Sequence, residues 1–396
     1  MTAPLPLEEA QARLLALAAP LARETLPVEQ TGGRYLAEDL RAARTQPAAD
    51  LSAMDGFALV GAGPWSLIGE SRAGHPFAGV LSPGEAVRIS TGALMPLGAD
   101  TVLIQEYAQC IGASVHLTGE APVSGRHIRR SGFDFGTGDT VLTAGTRLGP
   151  AAIALALAAG HAAVAIHRAP RVMIIDSGDE LAAEPRACAP HQVPASNGAM
   201  LAAMLAPLPC STRRMGPVAD DLGVVVRALE SAGDADVIVT TGGASVGDHD
   251  LIRPALEAVG ATIDFWRIAV RPGKPLLVAR RDGQIMLGLP GNPVSSFVTA
   301  FLFLLPLVRA LAGARAPLPR PIALPLLDAL PPGGDRREFL RATWHRDGVR
   351  PQSERDSSAL ASLASADALI ERPAHCDGTK AGTPVPVYLI ENGGNA

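Results

Sequence analysis

The chain has 396 residues, of which 47% are hydrophobic and 18% charged, and a formal net charge of −5. That length calls for roughly two to four domains, and the composition excludes a disordered chain. The slight acidic excess argues against a general nucleic-acid binder, which needs basic residues to neutralise phosphates.

Residues 7–26 read as one amphipathic helix, with Leu7, Leu14, Leu17 and Leu21 on one side. From about Arg44 the texture becomes β-rich and loop-rich, punctuated by Gly and Pro, with alternating segments at 57–60, 65–68, 86–89 and 101–105. Helix returns at 151–159, so the N-terminal part reads as one domain interrupted by another. The expected division is 1–43 with 137–168 as a discontinuous helical domain and 44–136 as a β-rich insertion.

Strands and helices then alternate, which implies an α/β domain over 169–313 with a mostly parallel sheet. Strands are expected at 171–175, 236–240, 263–270 and 285–288, and helices at 196–205, 219–231, 251–259 and 294–311. Asp220 or Asp221 would cap the second helix. Loops at 176–180, 241–250, 271–275 and 289–293 each follow a strand, which should gather them on one sheet edge. A Pro-rich linker at 316–321 leads to short strands that read as a small C-terminal β-barrel or sandwich within 314–396.

Other patterns set limits. Cys110, Cys188, Cys210 and Cys376 are scattered and lack metal or disulfide spacing, so a reducing cytoplasm is expected. No signal-peptide pattern is visible, and the apolar stretches 151–166 and 294–311 read as packed helices rather than membrane spans. His161, His167 and His249 read as structural or loop histidines.

The loop 241–250 is the most informative. Gly242, Gly243 and Gly247 let backbone N–H groups approach an anion, and Asp248 and Asp250 make sense beside it if a divalent cation intervenes. The competing reading is a tight strand-to-helix connection capped by Asp250. Asp179, Glu180, Arg271 and Lys274 on the neighbouring loops suit a phosphorylated ligand held partly by cations and partly through Mg²⁺. Neither a Gly-x-Gly-x-x-Gly turn after a strand nor a P-loop is present.

Six segments together resemble the molybdopterin molybdenumtransferases, the MoeA-type enzymes similar to the E domain of gephyrin. They are Met54-Asp-Gly-Phe-Ala, Arg88-Ile-Ser-Thr-Gly-Ala, Ser177-Gly-Asp-Glu-Leu, Thr241-Gly-Gly-Ala-Ser-Val-Gly-Asp-His-Asp, Arg271-Pro-Gly-Lys-Pro and Gly288-Leu-Pro-Gly-Asn-Pro-Val. The resemblance runs from about residue 7 to 390. It implies a transferase of molybdenum cofactor biosynthesis that inserts molybdate into adenylylated molybdopterin, with Mg²⁺-dependent release of AMP. It also implies a homodimer whose active site is shared between subunits. Molybdopterin adenylyltransferase and acceptor molybdoenzymes are the partners implied, with no nucleic acid and no membrane.

Carried over by motif, Asp55, Thr91, Glu180, Asp220 or Asp221, and Asp250 are the implied catalytic residues, with Glu180 and Asp250 serving the metal. Gly242, Gly243, Ser245, Gly247, Arg271, Lys274, Pro290, Pro293 and Ser357 are implied to bind the cofactor precursor. The chain departs from the family pattern at Phe133, where a carboxylate is usual, at Asp176, at Pro194-Ala195, and at Arg271, usually Lys. These departures are expected to tune affinity. Two rival readings are a non-catalytic molybdopterin carrier and, on the shared α/β domain, a molybdopterin adenylyltransferase.

Overall fold

The computed structural model describes residues 3–242 and 251–390. The first helix, Leu7–Leu17, buries Leu7, Ala10 and Leu14 and stops nine residues before the expected end. Pro20 disfavours helical backbone in the residue before it, and the chain passes into a strand, Arg23–Pro27, antiparallel to Ala163–His167. Leu21 follows the leucine spacing but lies beyond the helix.

The β-rich insertion is built on a six-stranded sheet. Its order is Thr101–Ile104, Gly56–Leu59, Glu85–Ile89, Trp65–Ser71, Ser114–Leu117 and Ala108–Ile111. The chain enters and leaves this unit side by side: Gln46 N–H donates to the Phe135 carbonyl at 2.9 Å and Gly132 N–H to the Pro47 carbonyl at 3.0 Å. The helix Pro150–Ala158 follows and shares a core with Val28, Leu36 and Leu148 of the discontinuous N-terminal unit.

In the α/β unit the sheet order is Ser211–Val218, Arg171–Ser177, Val237–Thr241, Gln284–Leu289, Leu277–Arg281 and Thr262–Trp266. The first four strands are parallel and Leu277–Arg281 runs antiparallel to both of its neighbours, so the sheet is mixed. Ser211–Val218 and Leu277–Arg281 are strands the sequence patterns did not reveal. The run expected as one strand over 263–270 is broken at Arg267, which adopts a φ of 78°. Beyond the break, Val270–Arg271 pairs with Arg337 and Glu338 in the C-terminal sheet. Side chains along Arg171–Ser177 alternate between two cores. Val172 and Ile174 join one with Leu287, Phe297 and Phe303, whereas Met173 and Ile175 join another with Val225, Leu229, Ile238 and Leu256.

Pro293–Leu311 is one continuous helical segment with a wider π turn at Ala300–Leu304. It is long and apolar enough to cross a bilayer, but 83% of its apolar window is buried inside the protein, as a core helix requires. The C-terminal sheet has the order Val270–Arg271, Arg337–His345, Ala368–Arg372, Pro384–Leu389 and Ile322–Pro325, with Gly348–Pro351 on the side of Arg337–His345. A bridge from Leu326 to Val349 links the end of Ile322–Pro325 to Gly348–Pro351. Phe339, Leu363, Leu369 and Tyr388 of this unit share the core of Leu7, Leu14 and Phe301.

Candidate active site

Three of the expected loops converge at the carboxyl ends of the parallel strands. Asp176 is 2% exposed at the end of Arg171–Ser177 and pairs in register with Thr241. Its Oδ1 accepts from the Thr241 hydroxyl at 2.6 Å and the Gly198 N–H at 2.9 Å, and its Oδ2 lies 3.5 Å from the Arg214 guanidinium. Gly242 follows with a φ of 96°, and a Cβ there would sit 2.6 Å from the Ser177 carbonyl oxygen. Only glycine permits that approach. Asn197 Nδ2 donates to the Gly291 carbonyl at 2.7 Å, tying in the loop that carries buried Pro290 and half-buried Pro293.

The two adjacent aspartates separate. Asp221 accepts from Val224 N–H at 2.9 Å and caps the helix Leu222–Ser231. Asp220 faces the loop instead, accepting from Asp179 N–H at 3.3 Å and the Ser177 hydroxyl at 3.4 Å, while Asp179 accepts from Asp220 N–H at 3.0 Å. Glu180 is exposed and its carboxylate has no hydrogen-bond partner among the described residues. No group of three acidic, His or Cys side chains converges among the described residues. Gly243, Ser245, Gly247, Asp248 and Asp250 lie outside the described residues.

The loop 271–275 reaches the same edge by a different route. It precedes the antiparallel strand Leu277–Arg281, whose Leu277 pairs with Gly288. Here it forms one wall of a cavity of about 960 Å³ between the α/β unit and the C-terminal sheet. Six cations line it, Arg271, Lys274, Arg336, Arg341, Arg355 and Arg372, against three carboxylates, Glu338, Glu354 and Asp356.

Glu338 is shared by Arg271 at 3.5 Å and by buried Arg372 at 3.2 Å. The Arg372 Nε is buried without a partner among the described residues. Arg341 is 4% exposed and spends its guanidinium on the carbonyls of Ala359, Glu354 and Asp356, which shapes the segment 354–359. Lys274 and Arg355 make no side-chain hydrogen bond or ion pair among the described residues. Burial lowers the affinity of Arg355 for its proton; Glu338 opposes this, and the charges of Arg372, Arg341 and Arg271 add to it. Ser357 accepts from Asn292 Nδ2 at 2.8 Å and its carbonyl takes the Val294 N–H at 3.0 Å, docking the C-terminal unit on the start of the core helix.

In the insertion, Asp55 and Thr91 are together, with Thr91 N–H donating to Asp55 Oδ1 at 2.6 Å. No described hydrogen bond, ion pair or cavity joins them to the α/β loops. Phe133, where the resemblance expects a carboxylate, is 75% exposed. Sequence reasoning missed Glu338, Arg341, Arg355 and Arg372, which are single charges in polar segments and acquire a common purpose only through the curl of the C-terminal sheet.

Three family descriptions match successive parts of the chain: the MoeA N-terminal region (domain I and II) over 5–160, a probable molybdopterin binding domain over 173–310, and the MoeA C-terminal region (domain IV) over 323–390. The chain is 32% identical over 405 residues to a molybdopterin molybdenumtransferase of Staphylococcus aureus, covering 98% of this chain and 96% of that protein. It is 32% identical over 410 residues to the protein of that name in Bacillus subtilis, covering 98% and 95%. Among solved structures, a molybdopterin biosynthesis moeA protein from Pyrococcus horikoshii OT3 superposes with a TM-score of 0.85 at 26% identity, covering 98% of this chain and 100% of that one.

Proposed function

Because the chain belongs to the molybdopterin molybdenumtransferase family, we propose that it acts in molybdenum cofactor biosynthesis by inserting molybdate into adenylylated molybdopterin and releasing AMP. The observation that carries the finer reading is the cavity of about 960 Å³ with six cations against three carboxylates. A surplus of fixed positive charge in a cleft favours a compact dianion such as molybdate. Lys274 and Arg355, free of protein partners among the described residues, are placed to meet it.

The other end of the substrate fits the loops of the parallel strands. The Gly242 N–H is held by the Leu289 carbonyl, so the backbone N–H groups after it would take phosphate oxygens, and Pro290 and Pro293 would give the pterin a rigid floor. Mg²⁺ would supply charge neutralisation where the phosphoanhydride breaks. The donor set suits it: Glu180 and Asp220 offer hard oxygens, and Glu180 has no partner among the described residues. Mg²⁺ is commonly held by one or two carboxylates with water and phosphate oxygens completing its shell. Asp250 would be the further carboxylate. We place the protein in a reducing cytoplasm, in keeping with four cysteines that are all free thiols.

Among the described residues Asp55 and Thr91 form a local pair without a link to those loops, which fits a site completed by the insertion of a second copy. Mixing D55A with K274A tests this, since heterodimers carrying one intact site should regain part of the activity that each homodimer lacks. The reaction itself is tested with purified protein, adenylylated molybdopterin, molybdate and Mg²⁺. Cofactor and AMP should form in equal amounts, and absence of both refutes the assignment.

A further inference from the structure

Asp176 is a charged side chain in a place where charge is costly. It is 2% exposed, and an ionised carboxylate out of water is favourable only when hydrogen bonds replace its hydration. The fold makes room for it. A Cβ on Gly198 would lie 2.2 Å from Asp176 Oδ2, and one on Gly216 would lie 2.4 Å from the Asp176 carbonyl oxygen. The strand does not need this charge to pair, because its backbone ladders with both neighbours already hold it.

The bonds that the carboxylate accepts lead to the ligand-facing loops. The Thr241 hydroxyl fixes the residue immediately before Gly242. The Gly198 N–H fixes the start of the helix whose Asn197 holds the Gly291 carbonyl. Asp176 itself begins the loop that carries Asp179 and Glu180. Three loops are therefore referred to one buried group.

We infer that Asp176 is a positioning residue for the adenylylated end of the substrate, acting through Thr241 and Gly198 on the loops at 177–180, 242 and 291. It touches none of the cations of the cavity at Arg271 and Lys274, so it governs one substrate and not the other. This inference rests on the reaction proposed above.

The test compares full-length wild type, D176N, T241V and T241S. Equilibrium binding of adenylylated molybdopterin is measured without turnover, and KM is measured for both substrates. D176N should weaken binding of adenylylated molybdopterin about tenfold or more, as small misplacements of positioning groups do, and leave the KM for molybdate within about twofold. T241V should weaken the same ligand, and T241S, which keeps the hydroxyl, should restore it. The inference is overturned if folded D176N binds adenylylated molybdopterin like wild type, or if only the active fraction falls with both KM values unchanged. Should D176N not fold, T241V against T241S decides alone. A wild type that binds adenylylated molybdopterin but releases no AMP would instead refute the proposed reaction.

Discussion

The two ends of the candidate site are built on opposite principles. At the loops of the parallel strands, all but Glu180 of the named carboxylates are already satisfied: Asp176 by Thr241, Gly198 and Arg214, and Asp220 by Asp179 and Ser177, among the described residues. In the cavity beside the C-terminal sheet, Lys274 and Arg355 lack partners among the described residues and Arg372 Nε is orphaned. The first arrangement sets a shape before any ligand arrives. The second leaves unmet charge that a ligand must complete. Substitutions at the first should alter fit and stability, while those at the second should alter oxyanion affinity and its salt dependence.

The largest effect should come from K274A. Loss of an unshielded cation facing the oxyanion should lower kcat/KM for molybdate about 100-fold, while thermal unfolding stays at the wild-type midpoint. A large fall in the midpoint would place Lys274 among the structural groups and blur the contrast. Asp236, at the amino end of Val237–Thr241 and so at the far edge of the sheet, tests a satisfied charge outside the site. Burial pushes its carboxyl up, but two hydrogen bonds from Arg168, at 2.8 and 2.5 Å, the Arg171 N–H and both guanidinium charges hold it below the ordinary value of 3.8.

A carboxyl whose affinity for protons is lowered by folding stabilises above its unfolded pKa and loses that contribution as pH falls through the folded value. D236N should therefore cost about 2 kcal/mol at neutral pH, discounted for the partly exposed Arg168, and the gap to wild type should begin to narrow below the ordinary value of 3.8 and vanish only once pH has fallen through the folded value. Denaturant unfolding at neutral pH and through a series descending below 3.8 checks this, and a gap constant with pH would break it.

R355Q should raise the KM for molybdate about tenfold, the worth of one charge-assisted hydrogen bond, and flatten its dependence on ionic strength. The smallest effect separates the neighbouring aspartates. D221A should lose about 1 kcal/mol of stability with its helix cap, whereas D220A should lower turnover more than D221A does. Equal turnover in the two variants would remove Asp220 from the site.

Much of this was legible because short motifs carry backbone requirements. The hydrophobic runs at Val237–Thr241 and Gln284–Leu289 announced buried parallel strands, and the Gly and Pro residues after them announced the loops. The edge strand Ser211–Val218 was not legible, because Ser-Thr-Arg-Arg-Met-Gly-Pro-Val has the exposed polar character of an edge rather than the apolar run of a centre. The first helix was read too long because the leucine spacing outlasts the backbone permission that Pro20 withdraws. Glu338 and Arg372 face each other across antiparallel strands more than thirty positions apart, a register that local patterns do not encode. Which of Asp220 and Asp221 caps the helix was likewise a one-residue question of phase, settled by where the side chain finds an N–H.

The two-residue strand Val270–Arg271 bears on how the protein is made. Its chain lies in the middle of the α/β unit, yet its ladder partners among the described residues are Arg337 and Glu338, synthesised 67 residues later. Until those residues leave the ribosome, Arg271 has no strand to hold it, Glu338 is not there to meet it, and the apolar face of Phe301 and Phe297 waits for Phe339 and Tyr388. The cation-lined cavity thus cannot take shape before the C-terminal sheet is made, and a nascent chain stalled at the Pro-rich linker carries most of the candidate site's motifs but neither its pocket nor its finished core.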